Sequence, residues 1–477
     1  MTKNIGFVCT TIFHYLHFKR IAEQFGERAV FIIVTPQFTN GRYERLEHYL
    51  QDNHVRYCSA DDVIAERVPV AAVVAPYYSS IYSFISSDIL RIRVMYGYAK
   101  DAWNYADWNK GFDLILAYGP YSERILSAKA PTVSIGHPRY ATNPVPARKI
   151  ASVTGQLLSG WLSSSGRTTL LYCPTWGDLS SFRWFKQAID TLTEQYRIII
   201  KLHHLTALTG DYELEITDHP HLFVCDETVD LFDLFPVSDA VISDYSGAIF
   251  DAMLANKRIV LVNALEESVR DTGILNIKKM SNVADLNDKN INAQGSLDIQ
   301  ARAILPNVTA PSRLSASVND VLKAPVIDYR EMNHDLYAEK DDQAPRRAYA
   351  AICALLDETR EITRTSDIGL SFRKDEFVAF VEQHAERRFI LWGAGDYGQL
   401  MVSWLLSRGY RLVAILDANS DKQGLQLFDV PIYSPDTYQF GSQDCLILSF
   451  DYKSREALVN HLAARGLFDE SSVLIPF

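Results

Sequence analysis

Residues Asp239–Asn263, DAVISDYSGAIFDAMLANKRIVLVN, decide the fold. Ala240–Ser243 is a short apolar run and reads as a buried strand. Asp244-Tyr245-Ser246-Gly247 is a small polar turn. Ala248–Ala255 repeats apolar residues at helical spacing, and Arg258–Val262 reads as a second buried strand. The polar turn therefore lies at the carboxyl end of a strand, where a helix begins. Free backbone N–H groups and the positive helix end converge there and favour an anion. Ser246 and Gly247 would let a phosphate approach the backbone closely. The same residues also read, more simply, as an N-capped turn.

Two further segments weigh against the simple reading. In Thr168–Asp178, TTLLYCPTWGD, the strand Leu170–Cys173 runs into Pro174-Thr175-Trp176-Gly177. In Tyr196–Leu205, YRIIIKLHHL, the strand Arg197–Ile200 delivers Lys201 and His203 to its end. Lys201 offers fixed positive charge, and His203 can donate a hydrogen bond to a phosphate oxygen. Either could equally be a solvated strand end or a satisfied loop histidine. Three such loops in order would share the carboxyl edge of one parallel sheet, where open α/β folds bind ligands.

Together these residues resemble the CDP-glycerol glycerophosphotransferase family, the teichoic-acid and capsule polymerase-like enzymes. The matching motifs are Pro174-Thr175-Trp176, Lys201-Leu202-His203, and Ser243-Asp244-Tyr245-Ser246-Gly247 with Asp251 following. Upstream, Gly136-His137-Pro138-Arg139 is similar to the family's Gly-x-Pro-Arg segment. The resemblance spans roughly residues 90–355. It implies two Rossmann-like domains in a glycosyltransferase-B arrangement, and transfer of a polyol phosphate from a CDP-activated donor. It also implies donor-binding roles for Arg139, Pro174, Thr175, Trp176, Lys201, His203, Asp244, Tyr245, Ser246, Gly247 and Asp251. There are two departures. The family's Trp-His-Gly is Met95-Tyr96-Gly97 here, followed by Lys100, and the family's second Ser is Gly247. A tyrosine is no base at neutral pH without a large pKa shift, so another group takes the proton or the acceptor chemistry differs.

Composition narrows the class. The chain has 477 residues, 48% hydrophobic and 22% charged, and a net charge of -11. These values describe a globular chain with room for about three domains. Acidity and the lack of a basic patch with interleaved aromatics argue against nucleic-acid binding. No apolar run reaches the ~20 residues that cross a bilayer, and the amino terminus lacks a signal-peptide pattern. A cytoplasmic location is expected, compatible with peripheral association at the inner face of the membrane. The six Cys have no C-x-x-C spacing and read as buried thiols, with no metal site.

The expected organisation is α/β throughout: a Rossmann-like acceptor-side domain over 1–148, a Rossmann-like donor-binding domain over 149–358, a linker over 359–375 and a small Rossmann-like module over 376–477. In the first, Ile5–Cys9, Ala29–Val34, Ala71–Ala75, Asp113–Ala117 and Thr132–Ile135 read as strands. His14 follows the first strand and is the candidate base, although a helix-start histidine without a role reads equally well. The aromatic stretches Val70–Tyr82 and Tyr96–Trp108 read either as core and rim or as a platform for a sugar or polyol. Residues 282–296 look like a surface excursion, and Ala344–Leu356 reads as a closing helix. In the last unit, the strand Phe389–Trp392 precedes Gly393-Ala394-Gly395-Asp396-Tyr397-Gly398, and a second strand ends at Asp417. That is the dinucleotide fingerprint, which makes Gly393, Gly395, Gly398 and Asp417 candidate nucleotide contacts.

The function expected is transfer of glycerol phosphate or a related polyol phosphate from its CDP ester to a hydroxyl of a glycan or lipid-linked saccharide, with CMP leaving. His14, His203 and Asp244 are the candidate catalytic groups. No cofactor is required, because such a transfer needs positioning and charge stabilisation. Two other readings stay open: a glycosyltransferase using a nucleoside-diphosphate sugar, and a non-catalytic nucleotide-binding scaffold.

Overall fold

In the computed structural model, the described residues are 3–34, 44–99, 101–142, 152–164, 166–176, 180–204, 206, 219–262, 297–357, 372–449, 460 and 472–476. Gly177, Asp178, Lys100, the excursion at 282–296 and most of the expected linker lie outside them.

Apolar, β-branched runs buried on both faces build parallel sheets. The first sheet has strands β1 (Asn4–Cys9), β2 (Ala29–Ile33), β3 (Tyr57–Ser59), β4 (Val70–Ala75), β5 (Leu90–Val94), β6 (Leu114–Ala117) and β7 (Thr132–Ser134). Their order is β3-β2-β1-β4-β5-β6-β7, parallel throughout. The second has β8 (Thr169–Cys173), β9 (Arg197–Lys201), β10 (Leu222–Cys225), β11 (Ala240–Ser243), β12 (Arg258–Val262) and β13 (Asn307–Val308). It is also parallel, in the order β10-β9-β8-β11-β12-β13. The third has β14 (Arg388–Trp392), β15 (Leu412–Leu416), β16 (Gln426–Leu427), β17 (Val430–Tyr433), β18 (Asp444–Leu448) and β19 (Val473–Leu474). Its order is β16-β17-β15-β14-β18-β19, with only the β16–β17 pair antiparallel.

Each sheet reverses its winding beside its first strand, as doubly wound Rossmann-like sheets do. The reversal lies between β1 and β4, between β8 and β11, and between β14 and β18. The strand ends at these three places are where ligands bind in such folds.

Five strands went beyond the sequence reading. β3, β13 and β16 are two or three residues long, too short for a period to show, and β17 is four residues with a proline inside it. β5 reads LRIRV, and its two arginines hide a strand whose last three residues are buried.

The helix Ala344–Asp357 follows the second sheet but returns to the first. Its Ala348, Ile352 and Leu355 join the core of Phe7, Phe18 and Ile92. Arg347 of this helix donates to the Ile135 carbonyl at 2.7 Å. The third unit also rests on the first. Phe84 packs against Phe372 and Tyr397, with ring centroids 5.2 and 6.2 Å away. Lys374 donates to the Ile85 carbonyl at 2.7 Å.

Candidate functional site

The loops after β8 and β11 flank the reversal of the second sheet, and Asp244 ties them together. Asp244 has no exposed surface. Its Oδ1 accepts the Thr175 N–H at 2.8 Å. Its Oδ2 accepts the Ser181 N–H at 2.8 Å and the Ser181 hydroxyl at 2.7 Å. Beside it, the Ser243 hydroxyl donates to the Cys173 carbonyl at 2.7 Å. Burial pushes the Asp244 carboxyl up to about 6, against the pull of the Ser181 and Thr175 hydrogen bonds. Every one of these contacts is internal. Asp244, expected among the reacting groups, is placed to shape the Pro174-Thr175-Trp176 loop instead.

Ser246 is buried, and its Oγ accepts the Ala248 N–H at 3.3 Å, at the start of the helix Ala248–Leu254. Gly247 faces the first unit. A Cβ at Gly247 would sit 3.9 Å from the Ala99 side chain, so the loop after β5 meets the loop after β11. Arg302, on the helix Leu297–Ile304, was not singled out from sequence. Its guanidinium lies 3.9 Å from the Tyr245 ring centroid, and Nη2 donates to the Asp244 carbonyl at 3.1 Å. It brings a fixed cation to the loop at residues 244–247.

The end of β9 divides its two expected phosphate ligands. Lys201 turns toward the end of β10, where Nζ donates to the Asp226 carbonyl. Burial lowers its pKa, and the nearby Asp226 and Asp230 oppose that. The structure therefore does not aim Lys201 at the loop after β11. His203 takes the other direction. Its ring stacks on Trp176 at 6.1 Å and on His204 at 4.2 Å. His204 stacks in turn on Phe13 of the first unit at 4.5 Å, with 5° between the planes. A ladder of rings thus joins the end of β8, the end of β9 and the start of the helix Ile12–Ala22 that follows β1. His204 stood in the quoted YRIIIKLHHL without a role.

Asp251 and Arg139, expected to touch the donor, instead hold the units together. Arg139 is buried and reaches Asp230 at 3.0 Å and Asp251 at 3.2 Å. His137 Nε2 lies 3.2 Å from the other Asp251 oxygen. Burial lowers the His137 pKa, and the Asp251 carboxylate opposes that. The Arg139 guanidinium also covers the rings of Phe13 and Phe232 at 4.9 and 5.1 Å. One Asp251 oxygen is thereby bound by Arg139 and the other faces the His137 ring.

His14 is buried, and its tautomer is fixed. Its Nδ1 accepts the Thr10 backbone N–H at 3.2 Å, so the neutral ring carries its proton on Nε2. That Nε2–H has no hydrogen-bond partner among the described residues. Burial takes the His14 pKa down to about 3. A group of this kind donates a hydrogen bond and accepts a proton poorly, which speaks against the expected role of a base. Tyr96 stands next to it, 6.5 Å between centroids, and burial raises the phenol pKa further from the neutral range.

In the third unit, the glycine turn has the tight geometry of the fingerprint. A Cβ at Gly398 would lie 1.9 Å from the Gly393 carbonyl oxygen. Yet the expected ribose ligand is engaged. Asp417 Oδ2 accepts the Ala394 N–H at 2.8 Å and meets Lys422 Nζ at 3.2 Å, while Oδ1 accepts the Asn419 N–H at 2.9 Å. Asp396, exposed, places a carboxyl in the first turn of the following helix, where a pyrophosphate would need to sit.

Residues 131–267 match the family model of CDP-Glycerol:Poly(glycerophosphate) glycerophosphotransferase. This segment is thus similar to the CDP-glycerol glycerophosphotransferase family, as its motifs suggested. The matched residues run from β7 through the Gly136–Arg139 segment to β12, so the matched segment contains the loops after β8, β9 and β11. Among solved structures, the wall teichoic acid polymerase TagF is similar over 75% of this chain and 90% of its own, at 15% identity and a TM-score of 0.49. The S. aureus MnaA–UDP structure is similar over 76% of this chain and 100% of its own, at 11% identity and a TM-score of 0.46. No curated protein matches the chain. No helix among the described residues is long and apolar enough to cross a membrane.

Proposed function

We propose that the protein transfers glycerol phosphate or a related polyol phosphate from a CDP ester to an acceptor hydroxyl, releasing CMP. The observation that carries this reading is the convergence of the family's loops, from Pro174–Trp176, His203 and Tyr245–Gly247, at the reversal of the second sheet. The donor would lie along that edge, on the side facing the first unit.

Phosphoryl transfer asks the protein for positioning and for stabilisation of charge on the oxygens. His203 and the backbone N–H groups at Ser246–Gly247 serve the phosphates. Arg302 adds positive charge from behind Tyr245. Asp244 keeps the Thr175 and Ser181 loops in register with them, and Trp176 lies against His203. His14 Nε2–H donates to an oxygen from the first unit. His204, between His203 and Phe13, takes the place first given to His14 as the proton acceptor, a task suited to imidazole. Arg139 and Asp251 fix the relative position of the two halves, and Lys201 braces the end of β10.

The acceptor is a hydroxyl of a glycan or lipid-linked saccharide, and the reaction takes place on the cytoplasmic side of a membrane. The test is incubation with CDP-glycerol, CDP-ribitol and UDP-sugars, followed by mass spectrometry of the nucleotide released. CMP from a CDP-polyol supports the reading. Release of a nucleoside diphosphate from a sugar donor, or binding without turnover of any donor, would replace it.

A further inference from the structure

We propose that Tyr77, Tyr96 and Trp103 form the acceptor subsite and that it takes a pyranose ring. This rests on the transfer reading above and names the acceptor's chemistry. Tyr77 follows β4, Tyr96 follows β5, and His14 follows β1, so the group stands at the reversal of the first sheet. That is the ligand position of a doubly wound sheet. The second unit's candidate site faces it across Phe13–His204 and Ala99–Gly247.

The rings of Tyr77, Tyr96 and Trp103 lie 5.7–6.0 Å apart, each edge-on to the others, at 64–83°. All three side chains are only partly buried, so the cluster is a floor and not a closed core. Two N–H groups in it are buried without a hydrogen-bond partner among the described residues, Trp103 Nε1 and His14 Nε2. Buried donors of this kind are rare and costly, and a ligand hydroxyl at the floor would satisfy them.

The floor also rests on an expensive foundation. Arg93 of β5 has no exposed surface, and no carboxylate pairs with it among the described residues. Four neutral contacts hold it: the Pro76 carbonyl at 3.1 Å, the Asn104 carbonyl at 3.0 Å, Asn109 Oδ1 at 2.6 Å and Asn104 Oδ1 at 3.0 Å. These are the neighbours of Tyr77 and Trp103. A buried cation without a counter-charge is a poor device for stability alone. Here it locks two loops into one geometry, as preorganisation of a binding site requires.

Ring geometry distinguishes the ligand class. A flat nucleobase can stack on only one of three edge-on rings. A chair-shaped sugar offers C–H groups to a ring face and hydroxyls to the two N–H donors.

The test uses the full-length protein and saturation-transfer NMR with methyl β-D-glucopyranoside and its 2-acetamido analogue, with and without saturating CMP. Calorimetry with CDP-glycerol runs on the same samples. Signals are expected from a glycoside in the wild type, unchanged by CMP. They should fall about tenfold in Tyr77→Ala and Trp103→Ala, and clearly in Trp103→Phe, which keeps a ring and removes the N–H. CDP-glycerol binding should stay unchanged in all three. Absence of glycoside signals in a wild type that binds CDP-glycerol, displacement by CMP, or full retention in Trp103→Phe and Tyr77→Ala would each overturn the subsite. Glycoside signals without any CDP-glycerol binding would leave the subsite standing and remove the donor reading.

Discussion

Asp244 and Thr175 stand 69 residues apart in the chain and share a hydrogen bond of 2.8 Å between a buried carboxylate and a backbone N–H. The bond makes the loop after β8 depend on the loop after β11. Asp244→Ala should leave the Thr175 and Ser181 donors unsatisfied, at about 1–3 kcal/mol each. Denaturant unfolding should show a loss of a few kcal/mol, with activity falling alongside. A variant of unchanged stability would remove Asp244 from the loop's architecture.

The same carboxyl sets a pH dependence. Its pKa is raised in the folded state to about 6, so its contribution is greatest below its unfolded value near 4 and is lost as pH rises through 6. His14 works in the opposite sense. Its pKa is lowered to about 3, so its stability contribution is present above the unfolded value near 6.5 and declines as pH falls toward 3. Between pH 7 and pH 5, the stability advantage of wild type over His14→Asn should shrink by about 2 kcal/mol, since each pKa unit is worth about 1.4 kcal/mol. Paired unfolding curves at the two pH values measure this. Nitrogen-15 NMR should show a neutral His14 ring protonated on Nε2 throughout, and an imidazolium at pH 5 would contradict the burial argument.

Lys201 and His203, two residues apart, should separate in kinetics. His203→Ala should reduce turnover about 10²-fold, the scale for loss of one donor at a developing charge. Lys201→Met should cost less than about tenfold, because its Nζ serves the Asp226 carbonyl. Equal losses in steady-state assays with a CDP-polyol would return Lys201 to the phosphate site.

Removing one side of the clamp should loosen the two halves. Asp251→Ala leaves Arg139 with Asp230 alone, and breaking a buried pair typically costs about 3–5 kcal/mol. Scattering should show a more open molecule and calorimetry a lower unfolding temperature. The double variant Arg139→Met, Asp251→Ala should recover none of the loss, since Asp230 is then left without its cation.

Asp417→Ala is expected to leave NAD, CDP and UDP-sugar binding at background in calorimetry, because the carboxylate already serves Ala394, Asn419 and Lys422. Measurable NAD binding to wild type that is lost in the variant would restore a nucleotide role to the third unit.

The sheets were largely legible because their strands are continuous apolar runs bounded by polar turns. β5 was not, because Arg91 and Arg93 break the pattern, and a buried arginine gives no signal of its burial. The motif loops were legible as positions, since strand ends and glycine turns are local features. Side-chain directions were not. Lys201 and His203 stand on one short stretch, and only packing against Asp226 on one side and Trp176 on the other sends them apart. Likewise Asp251 and Arg139 looked like ligands because charge at a strand or helix end reads the same whether its partner is a phosphate or another part of the chain.

The return of the helix Ala344–Asp357 to the first sheet means that the backbone passes between the two halves twice, once after β7 and once before that helix. A single covalent thread would let one half spin freely about it. Two threads act like the paired pins of a door. They remove the twisting freedom, so the loops after β8 and β11 keep one heading toward the loops after β4 and β5.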